Sequence, residues 1–345
     1  MQAVGTVGLG PKGPFPDAPL TGILERRWLH YAFLSRDSRL GLVANLSWLG
    51  AESSPQADAA QRMGILLLHE QGLGWQASQF NCAAPAEPWS SFRQPLEFGA
   101  ARPLLLAAQA GEPFADLLLT RTSRPCTSQS VTFAGDQHFR WQSESGVIAS
   151  GNLGLRGEVF TGVDALGYHE RVRGRWSWPA LGGWVFGFVN DQRGEPGGPP
   201  PAAVVFTLIQ PTDPPSAPTA SVMLWQEGRL RRHFPRRNID VAVAGLLERD
   251  RVAQVPDLSK VFGVAPADPI PSRLVITARL GSDRLLLDFE CESAARIVIP
   301  SESGLAPFSV HEVVGSCTVK AEVAGHALAF EAGAIVEFAG GARPD

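Results

Sequence analysis

Several things are scarce in this 345-residue sequence, and each absence narrows its chemistry. No apolar run approaches the roughly 20 residues needed to span a bilayer. The opening MQAVGTVGLGPKGPFPDAP has neither a basic start nor a continuous apolar core, so it does not read as a secretory signal. Charged residues make up 19% of the chain, below the roughly 25% of ordinary soluble domains. The net charge of −4 provides no global attraction to nucleic acid. The four cysteines, Cys82, Cys126, Cys291 and Cys317, are far apart and lack metal-ligand spacing. The expectation is a cytoplasmic protein with reduced thiols. H-E-x-x-H, G-x-S-x-G and the P-loop are all missing, and with them the carriers of zinc hydrolase, α/β-hydrolase and nucleoside triphosphatase chemistry. Gly8, Gly10 and Gly13 fit the dinucleotide spacing, but Pro11 interrupts them and prolines follow where a helix should start.

What is plentiful is glycine, proline and short apolar runs, a balance that favours an all-β protein. Residues 1–22 read as an extended arm. From Trp28 onward, WLHYAFLS, LGLVANLSWL, MGILLLHE and WQASQFN are strand-like runs separated by turn residues. The series continues through PLEFGAA, ADLLLTRT, HFRWQSE, GVIASGN, LRGEVF and GYHERVR, roughly ten strands and about what a closed up-and-down barrel needs. QRGEPGGPPP, from Gln192 to Pro201, is the strongest breaker and the expected domain boundary. A second run of strands follows, from AVVFTLI to AIVEFAG. The reading is two antiparallel β-barrels, residues 23–191 and 202–345. Ile239 to Val264 is the one candidate helix, because VAVAGLLERD carries apolar residues at helical spacing.

The polar chemistry gathers in GYHERVRGRWSWPALGGWVFGFVN, Gly167 to Asn190. Strand alternation puts Tyr168, Glu170 and Val172 on one face and His169, Arg171 and Arg173 on the other. If the first face is apolar and closed, desolvation raises the Glu170 carboxyl pKa and keeps a proton available near neutral pH. The alternative is a solvated Glu170 paired with Arg171, Arg173 or Arg156. Tyr168 and His169 are the other candidate catalytic groups, although adjacent strand residues make a poor Glu–His dyad. Trp176, Trp178, Trp184 and Phe186, with Trp28 and Trp141 from earlier strands, are candidate substrate-binding aromatics, able to face a carbocation or simply to fill a core. The basic run Arg229, Arg231, Arg232, Arg236 and Arg237 reads as a solvated strand face, with a phosphate-binding patch as its alternative.

Gly167-Tyr168-His169-Glu170 and Gly174, followed by a Trp-rich strand, resemble the signature of the lipocalin-like superfamily. That superfamily includes carotenoid 1,2-hydratase (hydroxyneurosporene synthase), AttH-like proteins, tocopherol cyclase and fungal Diels-Alderases. Its pattern places His-Asp-His-Asn-Trp-Gly after the Gly-Tyr pair. Here Glu170 stands for the Asp, and Arg171-Val172-Arg173 departs from His-Asn-Trp. Arg27-Trp28 resembles the N-terminal Trp strand, and Gly333 to Phe338 the closing strand, which carries a glutamate in relatives. The resemblance implies two lipocalin-like barrels, no metal or nucleotide cofactor, and an apolar isoprenoid or polyketide-derived substrate.

Two enzyme readings follow from the resemblance. One is a lyase or isomerase performing acid-catalysed hydration or cyclisation, with Glu170 as acid. The other is pericyclic cyclisation guided by shape. Substrate delivery would suit peripheral contact with a membrane. A non-catalytic lipid or pigment carrier is a second class. A structural or adapter protein is a third, favoured by filled barrels with no cavity between them.

Overall fold

The computed structural model describes residues 24–50, 61–81, 100–107, 113–133, 135–212, 218–254, 269–299 and 308–341. The expected arm at 1–22, with Gly8, Gly10 and Gly13, Cys82 and most of the run PLEFGAA lie outside these residues. The architecture is all-β, built from two sheets. The first holds β1 (Glu25–Ser35), β2 (Leu40–Leu49), β3 (Gln61–Glu70), β4 (Gly74–Asn81), β5 (Ala101–Ala107), β6 (Phe114–Thr120), β7 (Cys126–Thr132), β8 (His138–Leu155) and β9 (Glu158–Arg175). The second holds β10 (Leu181–Asn190), β11 (Ala202–Pro211), β12 (Thr219–Gln226), β13 (Arg229–Pro235), β14 (Ile239–Ala244), β15 (Val252–Gln254), β16 (Arg273–Leu280), β17 (Asp283–Ile299), β18 (Phe308–Val323) and β19 (His326–Gly341). Pairing is antiparallel except for β15, which runs parallel to β17. Both sheets are meanders whose first and last strands pair, β1 with β9 and β10 with β19.

Two expectations are corrected. Leu181–Asn190 was assigned to the first barrel, but β10 pairs with β11 and β19. The chain therefore changes sheets at the 3-10 turn Trp178–Ala180, and Gln192–Pro201 links two strands of the same sheet. The candidate helix is not an α-helix where it is described: Ile239–Ala244 pairs with β16, Arg249–Arg251 is a 3-10 turn leading into β15, and residues 255–264 lie outside the described residues. Among the described residues the pairing runs from β4 to β5 in the first sheet and from β13 to β14 in the second. No described helix is long and apolar enough to cross a membrane.

Strand alternation sorts the core into three layers. Tyr31 and Phe33 of β1 join leucines of β2, β3, β5 and β6 in a cluster drawn from the first sheet alone. A second cluster, including Val204, Phe234, Leu287 and Val319, belongs to the second sheet. The third is shared: Trp28, Ala32 and Leu34 from the opposite face of β1 pack with Trp184, Phe186, Phe188 and Val310. Each sheet thus has its own core, and a seam holds them together. Gly167 lets β9 press closely on β1, because a Cβ there would lie 2.1 Å from the Ala32 carbonyl oxygen.

The two halves share a detail of register. In the first, Trp28 and His30 of β1 face Glu170 of β9, with His30 directly opposite Glu170. In the second, Trp184 and Phe186 of β10 face Glu337 of β19, with Phe186 opposite Glu337. Each tryptophan donates its indole N–H to the glutamate of its own half. Trp28 and Trp184 stack on one another across the seam, centroids 6.0 Å apart.

Candidate functional site

The seam brings together Tyr168, Glu170 and all six candidate aromatics. Glu170 is 3% exposed, which excludes the solvated pairing with its arginine neighbours. Trp28 Nε1 donates to Oε1 at 2.8 Å and Trp141 Nε1 to Oε2 at 2.7 Å. The Tyr168 hydroxyl accepts from Trp141 Nε1 at 3.2 Å, bonds Ser143 Oγ at 2.8 Å and also contacts the Glu170 carboxyl. Burial pushes the Glu170 carboxyl up to about 8, and the nearby Glu337 carboxyl adds to the shift. The indole and phenol bonds act in the opposite direction but do not offset it. Glu170 therefore holds a proton at neutral pH. Because indoles only donate, the carboxylate left after proton transfer meets two oriented N–H groups without reorganisation.

The aromatic wall is continuous. Trp28 meets Trp141 and Trp176 edge-on at 6.0 and 5.5 Å. Phe186 lies 4.7 Å from Tyr168 and 5.6 Å from Trp141. Trp178 stacks on Phe308 at 4.7 Å, with the Arg26 guanidinium 4.6 Å from its ring centre. Among the described residues the gap bounded by Trp28, Phe139, Trp141, Trp176, Leu181, Trp184 and Ile209 is too tight for a water molecule.

His169 does not join the cluster. Its ring faces the first sheet's own core, stacked on Tyr31 at 4.0 Å. Nδ1 lies 2.8 Å from the His30 carbonyl oxygen, and Nε2 accepts from Arg171 Nε at 3.3 Å. The basic run is largely a solvated face, as read, with Arg232 paired to Asp283 and Arg231 to Glu227. Phe234 is its apolar anchor.

Sequence reasoning missed three members of the seam: His30, Glu312 and, as a site residue, Glu337. Glu312 of β18 lies opposite Glu337, and the two carboxyls bond each other. All three residues are buried, at 1%, 2% and 8% exposure. Burial raises both carboxyls and lowers the His30 imidazole to about 3. The available signal was the glutamate of the closing strand. Nothing in the sequence tied it to residue 30.

The fold is shared with solved structures of an AttH-like protein and of CghA. An AttH-like protein of Nitrosomonas europaea (NE1406) superposes with a TM-score of 0.59 at 13% identity, over 96% of this chain and 98% of that one. CghA in complex with Sch210972 superposes with a TM-score of 0.54 at 9% identity, over 94% and 93%. No protein-family profile matches the sequence, and no curated protein is significantly similar to it.

Proposed function

We propose that this chain is an enzyme acting on an apolar isoprenoid or polyketide-derived substrate by acid-catalysed hydration or cyclisation. The observation that carries the reading is a protonated Glu170 carboxyl enclosed by tryptophans, its conjugate base already provided with two N–H donors. Glu170 delivers its proton to an alkene or carbonyl, and Tyr168 orients the carboxyl. Trp28, Trp141 and Trp184 face the developing cation with their ring electrons. Closure against bulk water protects such a cation until an internal double bond closes the ring or one water admitted with the substrate adds, and loss of a proton to the Glu170 carboxylate completes either reaction. A pericyclic reaction is the variant in which the walls hold a folded conformer and the acid is dispensable. The likeness in fold to AttH and CghA structures is consistent with both.

The test is mass spectrometry of organic extracts of the producing cells after incubation with the purified protein or with Glu170→Gln. A product shifted by one water, or isomeric with a consumed compound, and lost with the variant supports acid catalysis. A product formed equally by both proteins moves the reading to pericyclic chemistry. The tight packing favours one competitor, a structural role for the seam, and the same experiment addresses it. No consumed compound and no bound lipid in the extract of the protein itself would establish that role over both catalyst and carrier.

A further inference from the structure

We infer that His30, Glu312 and Glu337 form a binding site for one divalent first-row cation of the zinc, manganese or iron class, bridging the two sheets. Each residue offers a ligand atom, and these atoms all lie within 4.8 Å of one another. An ion roughly 2.0–2.2 Å from each would space its ligands roughly 3–4 Å apart, so the side chains close on it by about an ångström. One imidazole with two carboxylates suits these metals better than calcium or magnesium, which take oxygen shells.

Two buried atoms point to a missing partner. His30 Nε2 and Glu312 Oε2 are both shielded from solvent, and neither has a hydrogen-bond partner among the described residues. Buried polar groups are rarely left so. Asn45 lies 3.5 Å from His30 Nδ1, placed as the outer partner that fixes the ring and leaves Nε2 for an ion. Trp184 donates to Glu337 and orients that carboxyl.

The cluster is not repeated in the other half of the molecule. At the corresponding places around Glu170 stands Ser143, where Glu337 has Glu312. The residue opposite Glu170 is His30, and opposite Glu337 it is Phe186. The second half has thus acquired an additional acid beside its glutamate, and the first half supplies the imidazole across the seam. Two adjoining carboxylates repel unless a proton or a cation lies between them. The cation also satisfies the imidazole, which a shared proton does not. Three protein ligands leave further coordination positions open. The site goes beyond the proposed reaction, which needs no ion, and beyond the family resemblance, which implies none.

The experiment is metal titration of the full chain after dialysis against a chelator, using Zn2+, Mn2+ and Co2+ separately. The expected result is one ion per chain, with affinity reduced at least tenfold in His30→Ala and in Glu312→Gln. Glu248→Gln, at an exposed position, should bind as the wild type does. Pulsed EPR of the Mn2+-loaded wild type gives a second readout that requires no variant to fold: coupling to one imidazole nitrogen is expected. Absence of stoichiometric binding, binding indifferent to both variants, or a Mn2+ spectrum without nitrogen coupling would overturn the assignment.

Discussion

Replacing Glu170 by glutamine should invert the order of stability between variant and wild type as pH rises. In the folded protein the carboxyl titrates near 8, against an ordinary 4.5. Below 4.5 both folded and unfolded chains are protonated, and the stability tied to the buried neutral carboxyl is complete. Between 4.5 and about 8 the unfolded chain ionises first, so the wild type loses about 1.4 kcal/mol per pH unit. By pH 8 the loss is roughly 4 kcal/mol, and it levels off above that. Glutamine does not titrate, but its amide offers one acceptor oxygen where Trp28 and Trp141 need two. One indole N–H therefore goes unpaired, at a pH-independent cost of about 1–3 kcal/mol. Glu312 and Glu337 are present in both proteins and cancel to first order. In urea unfolding from pH 5 to 9, Glu170→Gln should be the less stable protein near pH 5. The curves should cross between roughly pH 5 and 7, leaving the variant roughly 1–3 kcal/mol ahead at pH 8. A difference that stays flat from pH 5 to 8, or one that favours the wild type as pH rises, would refute a proton held on Glu170.

Three other perturbations follow from the same contacts. Trp141→Phe removes the N–H donor to Glu170 Oε2 and to the Tyr168 hydroxyl, so the carboxyl should titrate above about 8; a lower midpoint in the same pH series would contradict this. Gly167→Ala puts a methyl group 2.1 Å from the Ala32 carbonyl and 2.2 Å from the Phe33 ring, forcing β9 away from β1. A loss of roughly 3 kcal/mol is expected, and calorimetry showing less than about 1 kcal/mol would argue against the close approach. Arg36 bonds Asp164 and the carbonyls of Gly194 and Gly198, pinning the β10–β11 connection. Arg36→Ala should therefore speed tryptic cleavage after Arg193 several-fold while changing global stability little, and an unchanged cleavage rate would count against the clamp.

Most of the fold could be read from alternation and turn residues, because strands with one buried face must repeat with period two. Reading failed where backbone irregularity mimicked an ending. HFRWQSE and GVIASGN looked like two strands. They are one, β8, whose register shifts fall at Gly146 and Gly151, both at positive φ. VAVAGLLERD was read as helix from apolar spacing, yet β14 is an edge strand with Val241 and Val243 exposed. Edge pairing to β16 overrode a weak local preference. In the site, strand parity correctly separated Glu170 from His169. It could not show whether the Glu170 face was wet, because that depends on β10 covering it, and β10 was assigned to the wrong sheet.

The repeat between the halves also accounts for the location of the polar groups. A meander whose first and last strands pair brings a strand near the start of each half beside the strand that closes it, and both pairs contribute to the seam. Side chains buried there are held by two sheets at once, so a carboxyl in the seam is desolvated and oriented without any loop. The two halves then diverge. Glu170 has two indole donors and a serine beside it, so its acidity is set first by burial, with the Glu337 carboxyl adding to the shift. Glu337 has one indole and a second carboxyl, so its charge is bound to that of Glu312. Proton donation to an apolar substrate suits the first arrangement, where loss of a proton leaves a single anion held by two indole N–H donors. The second accumulates negative charge that only a proton or a cation can neutralise. Ring contact between His30 and Phe186, at 6.1 Å, lies where the two arrangements meet.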